Sequence, residues 1–261
     1  MTAQAIHEQA IIAPGAKLAS SVTIGAYAII GENVRLGEGC IVHPHAVVTG
    51  PTVAGRNNIF HPFCSIGGDP QDLKFAGEET HLVIGDDNTF REYVTVSRGT
   101  IGGGGKTTIG SGSLFMAYAH IAHDCHIGNH TIFANGATLA GHVTVEDFAS
   151  VGAFCPVHQF CRIGRYAYVG ASTVITQDVP PFSRVVTERQ TTSYGINAVG
   201  LQRKGFSPER LSALKSAYRL LLRAKLNTSQ ALDKMRKTLS DSADVKELIQ
   251  FIETAERGIV K

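Results

Sequence analysis

Six of the 11 histidines fall between residues 120 and 158: His120, His123, His126, His130, His142 and His158. Imidazole changes charge near neutral pH, so such a cluster can supply a general base, metal ligands or surface hydrogen-bonding groups. Three readings are open. The first is a surface ladder of histidines in turns. The second is a zinc site, which takes three histidines and keeps a fourth position for water. The third is a general base beside a backbone N–H. There, an imidazole removes a proton from a hydroxyl and the N–H holds the oxyanion of a tetrahedral intermediate. These two devices are worth about 10²–10⁴-fold and roughly 10²–10³-fold. Asp124 follows His123 directly and is the carboxylate that would orient it and support its protonated form.

A period of six places these residues. From Ile109, an aliphatic residue or Phe recurs at every sixth position: Ile109, Phe115, Ile121, Ile127, Phe133, Leu139, Val145, Val151, Val157, Ile163, Val169 and Ile175. Ile6, Ile12, Leu18, Ile24, Ile30, Leu36, Val42 and Val48 repeat the pattern, which then slips by one residue to Val53 and Ile59. Ile84, Phe90 and Val96 form a third block. Six matches neither the 3.6 of a helix nor the 2 of a strand, so each unit is a short strand plus a turn. Three units close a coil of about 18 residues, and stacked coils bury the aliphatic column as a solenoid. The next residue is often small, which draws on the 28 Gly among 261 residues. Cys40, Cys125, Cys155 and Cys161 take the fifth, small-residue position and are expected as buried thiols. Five cysteines without a CxxC pair argue against a disulfide scaffold or a Cys-based zinc site, and for a reducing cytoplasm.

With this coil length, His123 stacks on Gly141, one strand spacing of about 4.8 Å away, and beside His142. His158 follows almost one coil later, so the three histidines are expected to form a short column. Residues 67–83 and 99–107 break the register as loops at a corner, where binding groups collect. The Gly-rich second loop lacks the GxxxxGK[ST] spacing of a nucleotide phosphate loop.

The pattern changes after Asp178-Val179-Pro180-Pro181, and 10 of the 16 Leu lie in 201–261. Ser207-Pro208 reads as a helix N-cap and first residue, with Leu211, Leu214, Tyr218, Leu221 and Leu222 on one face. Further helices are expected over about 229–239 and 243–257. The division is thus a solenoid domain over 1–190 and a helical domain over 191–261. Residues 196–261 carry 13 Lys/Arg against 7 Asp/Glu, whereas 1–195 carry 11 against 15. The basic helices suit an anionic partner and would cap the open solenoid end. A net charge of +2 excludes a general nucleic-acid binder, and 18% charged with 43% hydrophobic residues excludes disorder. No apolar run reaches the ~18 residues of a membrane span, and MTAQAIHEQA lacks a signal-peptide core.

HIAHDC (120–125), AGH (140–142), VHQFC (157–161), DLKFAGE (72–78), QDVPPF (177–182) and GLQRKGFS (200–207) occur in order. Together they resemble the UDP-N-acetylglucosamine O-acyltransferase family of lipid A biosynthesis, across essentially the whole chain. The resemblance implies an all-β solenoid plus α: a left-handed parallel β-helix of hexapeptide repeats with a C-terminal helical domain. It implies transfer of a 3-hydroxyacyl chain from acyl carrier protein to the glucosamine 3-hydroxyl of UDP-N-acetylglucosamine. It also implies a cytoplasmic homotrimer with sites between neighbouring solenoids, and neither cofactor nor metal. Carried over by motif, His123 is the base, Asp124 its partner, and Gly141 gives the oxyanion N–H. Asp72, His142 and Gln159 hold the sugar, while His120, Lys74 and His158 line the site. Asn197, Arg203 and Lys204 hold the nucleotide. Lys204 stands where many relatives carry Arg, which keeps the charge and gives up bidentate geometry. Val199 stands where a relative places an acidic residue. Gly170-Ala171 match the region that limits acyl length, and the extra methyl of Ala171 is expected to shorten the preferred chain. The competing enzyme reading is a trimeric zinc enzyme like the γ-class carbonic anhydrases, for which the QDLK and RKGF segments have no purpose. A non-enzymatic reading is a scaffold that binds carrier protein or nucleotide without turnover.

Overall fold

The computed structural model describes residues 5–187, 193, 195–255 and 259. The chain divides into two compact units, residues 1–187 and 188–261. The expected boundary at 190/191 lies outside the described residues.

In the first unit, strands mostly two residues long alternate with turns, and every third strand pairs in parallel with the one a coil earlier. Among the described residues this makes three parallel sheets of ten, eight and eight strands, a left-handed parallel β-helix. Its hand departs from the right-handed rule for parallel crossovers. Partners lie 18 residues apart, as for Ile24 beside Val42 and for Leu139 beside both Ile121 and Val157. The six-residue column is the core. Phe60, Phe90, Phe115 and Phe133 are fully buried and stack with ring centroids 5.3, 4.8 and 4.9 Å apart. Glycines after core positions answer to close approach between coils. A Cβ on Gly152 would lie 2.6 Å from the Ala171 nitrogen.

The slip to Val53 and Ile59 does not occur. Ala54 and Phe60 carry the register, while Val53 is 43% exposed. The β-branched residues misdirect the pattern there, whereas Phe60 belongs to the aromatic column. Cys64 then also takes the fifth position, and all five cysteines are buried and free.

Two excursions change the offset between paired strands. Phe60 pairs with Phe90 and Ile66 with Val96, twelve residues more than a coil, so the phase of six survives. Phe90 pairs with Phe115 and Val96 with Ile121, seven more than a coil. Both excursions are narrower than expected, because Ser65–Gly68, His81–Ile84 and Lys106–Ile109 are strands. The loops are therefore 69–80 and 99–105. The second holds a 3-10 turn at Ile101–Gly103 rather than a slack glycine run. Arg98 fastens the first. Its Nη1 donates to the Gly67 carbonyl at 2.8 Å and its Nη2 to Asp69 at 2.5 Å, with the guanidinium 6.0 Å over Phe75.

The second unit holds α1 (Ala198–Arg203), α2 (Pro208–Leu222), α3 (Thr228–Thr238) and α4 (Ala243–Glu253). Ser207 caps α2 with Pro208 first in the helix. Leu214, Ala217 and Leu221 of α2 bury against Met235 of α3 and Val245 and Ile249 of α4. α4 ends at Glu253 with Thr254 as its cap, short of the expected 257, and α1 had no counterpart in the hydrophobic pattern.

Candidate active site

Asp124 and His142 occupy the left-handed corner of successive coils, with φ of 60° and 62°. Asp enters this region at modest cost, and stacking between coils over-determines the conformation. The corner places Asp124, His142 and Phe160 in one column, with the His142 ring 4.5 Å from that of Phe160. His123 precedes the corner and leans on the next coil. The His142 N–H donates to the His123 carbonyl at 3.1 Å. A Cβ on Gly141 would lie 2.6 Å from His123 Cε1 and 2.9 Å from Nε2, so the imidazole needs glycine there.

The Asp124 side chain is 1% exposed and nearly every bond it makes is fixed by the fold. His123 Nδ1 lies 2.7 Å from Oδ2. The Thr100 hydroxyl donates to Oδ2 and the Thr100 N–H to Oδ1, each at 2.7 Å. The Asp124 N–H donates to Thr107 Oγ1 at 2.8 Å. Gly103 packs against the carboxylate where any Cβ would collide with it. Burial raises the Asp124 carboxyl, but the Thr100 donors, His123 and His142 outweigh it and hold it below the usual carboxylate range. An ionised carboxylate only accepts, so Nδ1 carries the proton, and the neutral imidazole has its lone pair on Nε2. Nε2 is the basic atom, and the Gly141 backbone lies against it.

The Gly141 N–H donates to no acceptor among the described residues. A basic nitrogen with its tautomer fixed, next to a backbone N–H without a partner, can deprotonate a hydroxyl and hold an oxyanion. His120 sits one strand earlier with Nδ1 2.7 Å from Thr95 Oγ1. Burial first, and then the charge of His123, push its pKa down, so it stays neutral.

The three-histidine column does not assemble. One coil places His158 over Ala140 rather than over His142. Its exposed ring turns Nδ1 to the Gln159 carbonyl at 3.1 Å. Among the described residues, the group able to hold a metal is His123, Asp124 and His142, with ligand atoms within 4.8 Å of one another. That set has two imidazoles and a carboxylate already holding three donors. It is not the three-histidine set a carbonic-anhydrase-like zinc site requires.

Asp72 closes a turn in the 69–80 loop, accepting from the Lys74 N–H at 2.9 Å. Gln159 is exposed one coil beyond Gly141. Asn197 caps α1 through the Gly200 N–H at 3.2 Å, and Arg203 and Lys204 are exposed at its other end. A Cβ on Gly170 would lie 2.6 Å from Val186 Cγ1, whereas Ala171 is exposed. His126 pairs with Thr108 at 2.8 Å and His130 stacks on Phe148 at 5.1 Å, both in surface positions.

Sequence reasoning missed Thr100, Thr107, Thr95 and Gly103. Thr107 lies 17 residues before Asp124, one short of a full coil, and was reachable only as a neighbour of the stacked position. Thr100 was not, because the seven-residue excursion breaks the count.

Residues 178–260 match the family model described as UDP-N-acetylglucosamine O-acyltransferase, domain 2. Residues 5–38, 15–50 and 106–141 match the bacterial transferase hexapeptide model of six repeats. The acyl-[acyl-carrier-protein]–UDP-N-acetylglucosamine O-acyltransferase of Xylella fastidiosa is 51% identical over 259 residues, covering 99% of this chain and 98% of that protein. The structure of LpxA from Acinetobacter baumannii is 42% identical with a TM-score of 0.69, covering 98% of this chain and 99% of that one. UDP-N-acetylglucosamine O-acyltransferase (LpxA) from Moraxella catarrhalis is 39% identical with a TM-score of 0.68, again covering 98% and 99%.

Proposed function

The chain belongs to the UDP-N-acetylglucosamine O-acyltransferase family, and on that premise we propose how its residues carry the reaction. The chain is an acyl-[acyl-carrier-protein]–UDP-N-acetylglucosamine O-acyltransferase acting at the first step of lipid A biosynthesis. The donor carries a 3-hydroxyacyl thioester and the acceptor is the sugar 3-hydroxyl. His123 Nε2 takes the hydroxyl proton as the oxygen bonds to the thioester carbonyl carbon. The Gly141 N–H holds the oxyanion of the tetrahedral intermediate. On collapse the C–S bond breaks, its electron pair leaves on sulfur, and His123 returns the proton to the departing thiolate. Asp124 holds Nδ1–H and supports the imidazolium without taking the proton itself. The observation that carries this reading is the 2.7 Å pairing of His123 Nδ1 with a carboxylate that three donors keep ionised.

Asp72, His142 and Gln159 hold the sugar, and Lys74, His120 and His158 line the site. Asn197, Arg203 and Lys204 hold the nucleotide. Supporting this, Arg203 and Lys204 put two exposed cations side by side, as a diphosphate needs. The basic helical unit steers the acidic carrier protein. The chain works as a cytoplasmic homotrimer; among the described residues no helix is long and apolar enough to cross a membrane. Gly170 and Ala171 set acyl length. Supporting this, Gly170 is packed under Val186, so Ala171 presents the first free methyl. One methylene in such a site is worth about 1–3 kcal/mol. The test is transfer to UDP-N-acetylglucosamine from carrier protein loaded with a series of 3-hydroxyacyl lengths. Turnover with a length optimum that moves to longer chains in Ala171→Gly is expected; no transfer from any donor refutes the reading.

A further inference from the structure

We propose that Thr100 is a positioning residue of this site: its hydroxyl and N–H hold the Asp124 carboxylate in the orientation that directs His123. The inference rests on the reading of His123 as the base. Thr100 lies outside the six-residue register and arrives through the 99–105 excursion, which is closed on itself. The Gly103 and Gly105 N–H groups donate to the Thr100 carbonyl at 3.1 and 2.8 Å, and the Gly104 N–H to the Ile101 carbonyl at 3.2 Å.

The hydroxyl has a defined polarity. The Gly103 N–H donates to Thr100 Oγ1 at 3.2 Å, which turns the hydroxyl proton toward Asp124 Oδ2 at 2.7 Å. The Thr100 N–H takes Oδ1 at 2.7 Å. Two bonds from one residue, one to each oxygen, fix the plane of the carboxylate. His123 Nδ1 then meets Oδ2, the oxygen the hydroxyl also holds. Because the Asp124 side chain is 1% exposed, water is not at hand to replace a lost donor. Removing the hydroxyl leaves Oδ2 with one donor. The carboxylate is then held only by the Thr100 N–H on Oδ1 and by His123 on Oδ2, so its orientation is less firmly set and it pulls harder on the imidazole proton.

The test compares Thr100→Val, which keeps shape and N–H, with Thr100→Ser, which keeps the hydroxyl. With UDP-N-acetylglucosamine and 3-hydroxyacyl carrier protein, Thr100→Val is expected to lose kcat about tenfold to hundredfold, as for one charge-assisted hydrogen bond. Its KM for the sugar nucleotide stays within about twofold, and the acid limb of kcat/KM moves to higher pH. Thr100→Ser retains most of the activity. A readout without substrate stands beside these. The rate at which diethyl pyrocarbonate modifies His123, followed by mass spectrometry across pH, reports the titration of that imidazole. Its midpoint moves upward in Thr100→Val and not in Thr100→Ser. A wild-type chain that transfers nothing overturns the acyltransfer reading, while the modification midpoint still judges Thr100. An unmoved midpoint in Thr100→Val, or equal impairment in both variants, overturns the positioning role.

Discussion

Gly141→Ala tests the packing of the base directly. The added Cβ would stand 2.6 Å from His123 Cε1, where ordinary contact begins at 3.4 Å, so the imidazole must retreat by about 0.8 Å. The backbone at Gly141 is not left-handed, so alanine fits the chain itself and keeps the N–H. Retreat is opposed by Nδ1, bonded to Cε1 and tied to Asp124 at 2.7 Å. The ring therefore rotates off its rotamer, at a cost of roughly 0.5–1.5 kcal/mol, or stretches its bond to the carboxylate. Either way Nε2 moves by most of an ångström, and a misplacement of about 1 Å costs on the order of 10²-fold in rate. The expected outcome is kcat down about 100-fold, with a melting temperature lowered by no more than a few degrees. Initial-rate kinetics with both substrates and a thermal melt measure the two. Wild-type kcat in Gly141→Ala would refute the contact on which the site is built.

Gly103→Ala pushes into the Asp124 carboxylate and is expected to cost about as much activity as Gly141→Ala. Gly102→Ala meets nothing within 4 Å and leaves kcat unchanged; equal loss in both would show the excursion to be merely fragile. His120 lies below its ordinary value because burial, and then His123, oppose its charging. Its unfolded form takes up a proton first as pH falls below about 6.5, so folding loses stability on that side. Melts from pH 7 to 5 should fall more steeply for wild type than for His120→Gln; parallel curves would contradict this. Arg98→Lys keeps a charge but cannot reach both the Gly67 carbonyl and Asp69, so the loop bearing Asp72 and Lys74 loosens. KM for UDP-N-acetylglucosamine should rise about tenfold while kcat falls less; the reverse split would move Arg98's influence to the base.

The repeat was legible because burial in a solenoid recurs with the coil, so Ile121, Leu139 and Val157 announce themselves. The same count brought His123 to Gly141 and to His142. It failed where composition imitated the pattern, at Val53 and Ile59, since a β-branched residue facing outward reads like one facing in. It also failed wherever extra residues entered a coil. Thr100 reaches Asp124 only because seven residues were inserted between Val96 and Ile121. His158 was misplaced for a simpler reason: a residue 17 positions on from Gly141 faces a different side of the coil from one 18 on. Handedness and the nucleotide residues came from resemblance, since spacing alone carries neither.

The most direct test is acyl transfer by His123→Ala, with the fold followed by its melting curve. The Ala side chain removes the base and leaves Gly141, Asp124 and the coil in place. Transfer of the 3-hydroxyacyl group from carrier protein to UDP-N-acetylglucosamine should fall by about 10²–10⁴-fold, the worth of a general base, with melting preserved. Retention of a tenth or more of wild-type turnover by a folded His123→Ala chain would contradict the assignment.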